Sequence, residues 1–79
     1  MSRAKKLLEK ARTAPRNLTF DDFCTLMRLH GFVLDHCTGS HFSYKHAGLR
    51  TTLIVQPARS GHAKPYQVKQ FLTAIGDHV

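Results

Sequence analysis

A histidine follows a glycine and a small hydroxyl residue in the run Gly39-Ser40-His41, and Lys45 comes four residues later. Histidine has an unperturbed pKa of about 6.5, so its imidazole can take a proton from a hydroxyl group near neutral pH. The amides of Gly39 and Ser40 and the Ser40 hydroxyl are suited to contact a phosphate group. A lysine on the same strand face would stabilise the negative charge that develops at phosphorus. These residue types together indicate acid–base chemistry at a phosphate.

Among phosphodiesters, RNA carries its own nucleophile, the 2′-hydroxyl. A histidine such as His41 can remove that proton while the oxygen attacks the adjacent phosphorus, and general acid–base help of this kind contributes about 10²–10⁴-fold. The acid that protonates the leaving group stays open among His46, Lys45 and Tyr44. A single histidine on a strand is more often an ordinary surface residue, so His41 needs further support.

The charge of the chain favours a polyanionic partner. Its 79 residues contain 12 lysines and arginines against five acids, a formal net charge of +7. So basic a small domain suits either nucleic acid or an acidic protein. Further phosphate contacts are predicted for Arg50, on the strand next to His41, and for Arg59 and Lys64, in a small basic loop. Together with Gly39, Ser40 and Lys45, they form the predicted RNA-binding set.

The helices and strands that surround these residues can be predicted from hydrophobic periodicity. Three stretches have helical spacing: Arg3–Arg12, a helix capped by Thr19, and a final helix that starts at Pro65. Between the second and third helices the apolar residues recur every two positions, which predicts strands at Phe32–Cys37, His41–His46 and Leu49–Gln56. Short turns between them imply an antiparallel meander.

The predicted architecture is therefore α+β, with a three-stranded antiparallel sheet covered by helices on one face. Residues 1–16 are predicted to be an amphipathic helical extension, and residues 17–79 an αβββα domain. The extension is either an arm that contacts RNA or a partner, or a helix that packs on the domain; packing is slightly favoured. Alternation assigns Phe32, Leu34, Phe42, Tyr44, Leu53 and Val55 to the helix-facing core, and His41, Ser43, Lys45, Arg50 and Thr52 to the open face.

Several other classes of protein and site fit the sequence poorly. The two cysteines, Cys24 and Cys37, lie in predicted regular elements and are expected to be reduced and buried in a cytoplasmic protein. No apolar run approaches the length of a membrane span. The histidines and cysteines lack the spacing of a zinc site, so no metal ligand and no cofactor is predicted.

Two blocks of the sequence resemble the HicA toxin family of bacterial type II toxin–antitoxin systems. The first is Gly39-Ser40-His41-x-x-Tyr44, and the second comprises Gln56-Pro57 and Lys64-Pro65-Tyr66-Gln67-Val68. The resemblance covers roughly residues 17–75. It implies a fold like that of double-stranded-RNA-binding domains, cleavage of mRNA without the ribosome, and neutralisation by a HicB-type antitoxin. The histidine that the family uses in catalysis corresponds to His41.

The chain departs from the family pattern at one position of the first block. Many members carry a second histidine directly after the first, and here that position is Phe42. Any role of a second imidazole is therefore absent or moved. Two functions are compatible with the sequence: a metal-independent endoribonuclease toxin, and a non-catalytic RNA-binding module of the same fold. The complete Gly39-Ser40-His41 motif favours the enzyme.

Overall fold

The computed structural model describes residues 2–76; the last residues of the predicted domain, 77–79, lie outside this range. Residues 2–76 form three α-helices, three strands and one 3₁₀ turn. In chain order they are α1 (Arg3–Thr13), the 3₁₀ turn (Pro15–Asn17), α2 (Phe20–Leu29), β1 (Val33–Thr38), β2 (His41–His46), β3 (Thr51–Val55) and α3 (Pro65–Ala74). This order confirms the predicted α+β architecture. Strand β1 has the predicted length but lies one residue later in the chain, and strand β3 is shorter than predicted.

The ends of helix α2 follow from its sequence. The Thr19 hydroxyl accepts a hydrogen bond from the backbone N–H of Asp22 at 3.1 Å, which caps the first turn. Asp21 and Asp22 place negative charge in that turn, where the helix dipole favours it. The helix stops before Gly31, whose φ of +91° is a left-handed conformation that suits glycine. This end directs the chain into Phe32 and strand β1.

The sheet is an antiparallel meander in the order β1-β2-β3. Strand β2 pairs with β3 in an unbroken register, with Phe42 opposite Val55 and His46 opposite Thr51. Its pairing with β1 has a bulge, because Leu34 lies opposite Tyr44 whereas His36 lies opposite Ser43. Strand β1 therefore has one more residue than β2 over this interval.

The core lies between the helices and one face of the sheet. Phe23, Phe71 and Phe32 are fully buried, and the ring of Phe71 lies 5.9 Å from each of the other two ring centres. Five of the six residues assigned to the core face bear this out: Phe32, Tyr44, Leu53 and Val55 are buried, and Phe42 is partly buried against the core. Leu34 contradicts it, since the side chain is 43% exposed. Every residue of β1 is exposed, because this edge strand reaches past the helices that cover β2 and β3.

Helix α1 packs into the same core. Leu7 and Ala11 are buried, and the helix contacts α2, α3 and the 3₁₀ turn. Arg3 adds an exposed ion pair with Asp22 at 3.3 Å. The structure thus favours the packing role for this segment. No helix within residues 2–76 is both long enough and apolar enough to cross a membrane.

Candidate active site

The turn between β1 and β2 presents His41 at one end of the sheet. Thr38 pairs with His41, so Gly39 and Ser40 are the two central residues of a tight hairpin. Gly39 has a φ of +61°, and Ser40 has no positive φ, the pattern of a type II′ turn that requires glycine first. The turn and the His41 side chain are exposed. Within residues 2–76, the His41 imidazole makes no hydrogen bond or ion pair, so both ring nitrogens are available to a ligand.

The face of the sheet that the helices leave uncovered carries the rest of the site. His41, Ser43 and Lys45 alternate along β2 on this open face. Ser43 is only 4% exposed, whereas His41 and Lys45, on either side of it along the strand, are exposed. The Nζ atom of Lys45 lies 3.5 Å from Oδ2 of Asp35. Ser43 thus lies low on the open face, between His41 and Lys45.

Two residues of the open face, Asp35 and His36, are absent from the sequence-based set. Nδ1 of His36 lies 2.7 Å from Oδ2 of Asp35, and both side chains are largely exposed. The hydrogen bond from His36, assisted by the positive charge of Lys45, holds the pKa of Asp35 below its ordinary value against the opposing effect of burial. Nothing in the sequence indicates that Asp35 and His36 share a face, because regular alternation would direct their side chains to opposite faces of the sheet.

The loop between β3 and α3 begins at the same end of the sheet as His41. Val55, opposite Phe42, is the last residue of β3, so the chain leaves the sheet beside the Gly39–His41 turn. The backbone fixes this loop against the start of α2: Phe20 N–H donates to the carbonyl of Gly61, and Ala63 N–H donates to that of Leu18. Arg59 is exposed within the loop, and Lys64 is partly exposed at the start of α3. These two cations are placed at the His41 end.

Arg50 lies at the other end of β2 and is not on a strand. It occupies the turn before β3, with a φ of +50°. The five residue steps from His41 to His46, at about 3.3 Å each, separate the two ends by about 17 Å. The predicted place of Arg50 on the strand beside His41 is therefore wrong, since β3 starts only at Thr51. Any phosphate contact of Arg50 would be to a different part of an RNA strand.

Two of the three candidate proton donors, His46 and Tyr44, do not share the open face with His41. His46 lies at the far end of β2, where its ring packs edge-on against Phe32 and its Nδ1 accepts a hydrogen bond from Leu49 N–H. Tyr44 faces the helices, and its hydroxyl accepts a 3.5 Å hydrogen bond from Arg28. Burial, assisted by Cys24, raises the pKa of Tyr44 to about 12, so its phenol is a poor acid at neutral pH. Of the three, only Lys45 shares the open face with His41.

The structure also shows where the two cysteines and the residues that could bind a metal ion lie. Both cysteines are free; Cys24 is buried, and burial raises the pKa of its thiol. Cys37 is exposed on the edge strand, so its predicted burial is wrong. No group of three or more histidine, cysteine, aspartate or glutamate side chains within residues 2–76 is arranged to hold a metal ion.

A family model matches most of the chain. The family described as the HicA toxin of bacterial toxin–antitoxin systems matches residues 20–76, which include α2, the whole sheet and α3. The match begins after α1. No curated protein and no solved structure matches the chain.

Proposed function

Because the chain belongs to the HicA toxin family of bacterial toxin–antitoxin systems, we propose that it is an endoribonuclease that cleaves mRNA with His41 as general base. The observation that carries the proposal is the position of His41. Its unpartnered imidazole follows the Gly39-Ser40 turn on an open sheet face that also carries Lys45, four residues along β2. The family match includes all of these residues.

The proposed reaction begins with the 2′-hydroxyl of the nucleotide at the cut site. His41 takes its proton, and the oxygen attacks the neighbouring phosphorus. The bond from phosphorus to the 5′-oxygen then breaks, so the products carry a 2′,3′-cyclic phosphate and a 5′-hydroxyl. Lys45 and the exposed turn amides of Gly39 and Ser40 would stabilise the negative charge on the phosphate oxygens. Since RNA supplies the nucleophile and histidine the base, the reaction needs no metal.

The partners follow from the charge and from the family. Arg59 and Lys64, at the same end of the sheet, are proposed to bind neighbouring phosphates of the mRNA, while Arg50 would meet the strand only at a distance. A HicB-type antitoxin is the protein partner that the family implies. We place both partners, and the chain itself, in the cytoplasm.

The decisive experiment combines a variant with a modified substrate. A short RNA is cut by the purified, antitoxin-free protein, and the new ends are identified by mass spectrometry. Replacing the one ribose at the cut site by deoxyribose should stop cleavage and leave most of the affinity, because the phosphate contacts remain. His41→Ala should bind RNA, keep the native fold and cut neither substrate. A 5′-phosphate product, or activity lost in EDTA and restored by a metal, would rule out the mechanism.

The second candidate is a non-catalytic RNA-binding module. It is favoured by Phe42, which stands where many family members carry a second histidine. Phe42 faces the helices, and its ring lies 5.2 Å from that of Phe20. Tight RNA binding without cleavage, by a folded preparation free of antitoxin, would establish this candidate in place of the enzyme.

A further inference from the structure

The bulge in strand β1 brings two consecutive side chains to the open face. At a bulge, two residues of one strand oppose a single residue of its partner. Here Asp35 is the extra residue between the Leu34–Tyr44 and His36–Ser43 pairs. The contacts agree with this geometry, since Oδ2 of Asp35 lies 2.7 Å from Nδ1 of His36 and 3.5 Å from Nζ of Lys45. Asp35 and His36 therefore lie on the same side of the sheet as Lys45 and His41.

The register places His36 and His41 at diagonally opposite corners of a four-residue patch, whose other two corners are Ser43 and Thr38. His36 is opposite Ser43, and His41 is two residues from Ser43 along β2. Such diagonal neighbours are about 7–8 Å apart between backbone positions, within reach of long side chains. The side chain of Ser43, at a third corner, is small and buried. A phosphate above the middle of the His36–His41 diagonal would have an imidazole on each side.

An in-line displacement needs this arrangement. The attacking 2′-oxygen and the leaving 5′-oxygen lie on opposite sides of phosphorus, so the base and the acid must approach from opposite directions. Asp35 fixes the second imidazole, because a carboxylate at Nδ1 accepts that N–H and leaves Nε2 directed away. Lys45 also pairs with Asp35, but it is less suited to act opposite His41, because it lies four residues from His41 along β2 whereas His36 is the diagonal neighbour of His41.

We propose that His36, oriented by Asp35, is the general acid that protonates the leaving 5′-oxygen while His41 takes the proton of the 2′-hydroxyl. The proposal rests on the proposed endoribonuclease function. In this step the oxygen–phosphorus bond to the 2′-oxygen forms, and the bond to the 5′-oxygen breaks. The electron pair of the broken bond goes to the 5′-oxygen, which takes the proton from His36. The protein ends with one proton moved from His36 to His41, and solvent restores the starting state.

The test uses a substrate whose leaving group needs no acid. A 5′-bridging sulfur at the cut site leaves as a thiolate without protonation. With the ordinary 5′-oxygen substrate, His36→Gln should lower the single-turnover rate by about 10²-fold or more. With the sulfur substrate, His36→Gln should match the wild type, whereas His41→Gln should stay slow with both. Asp35→Asn, which leaves the imidazole present but less well positioned, should lose about tenfold on the oxygen substrate alone.

The pH profile of the unmodified protein gives a second measurement that needs no variant. The charged and titratable groups that face His36 are Asp35, on its own strand, and Lys45 and His41, on β2. The wild type should show a falling alkaline limb with the oxygen substrate, because the 5′-oxygen leaves only when the acid carries a proton. That limb should be absent with the sulfur substrate.

A control variant and the contrary outcomes distinguish failure of the acid role of His36 from failure of the proposed function. Cys37→Ser changes the next residue of β1, whose side chain is on the opposite face and pairs with Phe42; it should cut both substrates at the wild-type rate. Wild-type rates for His36→Gln on the oxygen substrate would overturn the inference and leave the proposed function standing. Equal losses on both substrates would also overturn the acid role. No cleavage by the wild type itself would overturn the proposed function, and this inference with it.

Discussion

The side chain of Gln67 joins α3 to the end of β3, because its Oε1 atom accepts a hydrogen bond from the backbone N–H of Gln56 at 3.1 Å. Its Nε2 atom donates to the Tyr66 hydroxyl at 3.2 Å, and the residue is buried. Gln56 and Gln67 belong to the second block on which the family resemblance was based. This contact shows that part of the block is structural. It fixes the loop that carries Arg59 to the sheet at the end where His41 lies.

We expect Gln67→Leu to lower the free energy of unfolding by about 1–3 kcal/mol, because the partly buried N–H of Gln56 loses its acceptor. The midpoint of urea unfolding, followed by circular dichroism, measures the effect. The matched control is Gln70→Leu on the exposed side of the same helix, which should stay within about 0.5 kcal/mol of the wild type. Equal midpoints for the two variants would show that the contact is not needed.

The sequence was sufficient to predict the elements and the place of His41. Local signals specify both: the helix cap at Thr19, glycine at the turn before His41, and proline at the start of α3. The bulge at Asp35 could not be predicted, because it depends on how β1 pairs with β2, and strict alternation gives no sign of an extra residue. For this reason the Asp35–His36 pair was missed.

The other errors also have a tertiary cause. Leu34 has the apolar character and the spacing of a core residue, but its exposure depends on where the helix layer ends. Arg50 was assigned to the predicted strand Leu49–Gln56, whereas the turn from Ala47 extends through Arg50. In both cases the error concerns where the helix layer or a strand ends, and local sequence patterns define such ends poorly.

Leu7 tests whether α1 is part of the folded domain. Leu7→Ala should lower the free energy of unfolding by about 2–5 kcal/mol, since it removes a buried side chain from the core. Lys6→Ala, on the exposed side of the same helix, should have little effect. Both are compared by urea unfolding and by RNA affinity at a temperature where each is folded. If Leu7→Ala weakened RNA binding without changing stability, α1 would be a binding arm and not a packing helix.

The cations at and beside the site should determine how RNA affinity depends on salt. Replacing Lys45, Arg59 and Lys64 by glutamine should make the slope of log K against log salt concentration shallower by about 2, at roughly 0.7 for each lost phosphate contact with a single strand. The control with the same change of charge is Lys5, Lys6 and Lys10 to glutamine, all exposed on α1. Titrations of a labelled RNA at four salt concentrations give both slopes. Identical slopes for the two triple variants would exclude a local binding surface.

The Tyr44 phenol should make stability decrease at alkaline pH. Burial raises its pKa from 10.0 to about 12 in the folded state, so the fold favours the neutral form. The resulting stabilisation is fully present below pH 10 and is lost as the pH rises from 10 to about 12. Urea titrations at pH 9 and pH 11.5 should therefore show a larger loss of unfolding free energy for the wild type than for Tyr44→Phe. The comparison is repeated in a Cys24→Ala background, which removes the neighbouring thiol. If the free energies of unfolding with and without Tyr44→Phe changed in parallel with pH in that background, the assignment of the pH dependence to Tyr44 would be refuted.

An antitoxin that neutralises the chain should cover the open face, because His41, Lys45 and the Asp35–His36 pair all lie there. A complementary acidic surface would act mainly on the association rate. Lys45→Glu should therefore slow association at low salt by about tenfold, while Lys10→Glu, with the same change of charge on α1, should leave it nearly unchanged. Surface plasmon resonance with the immobilised antitoxin measures both rates. Equal slowing by the two substitutions would indicate attraction by net charge alone, and a complex that still cuts RNA would show that the open face is left free.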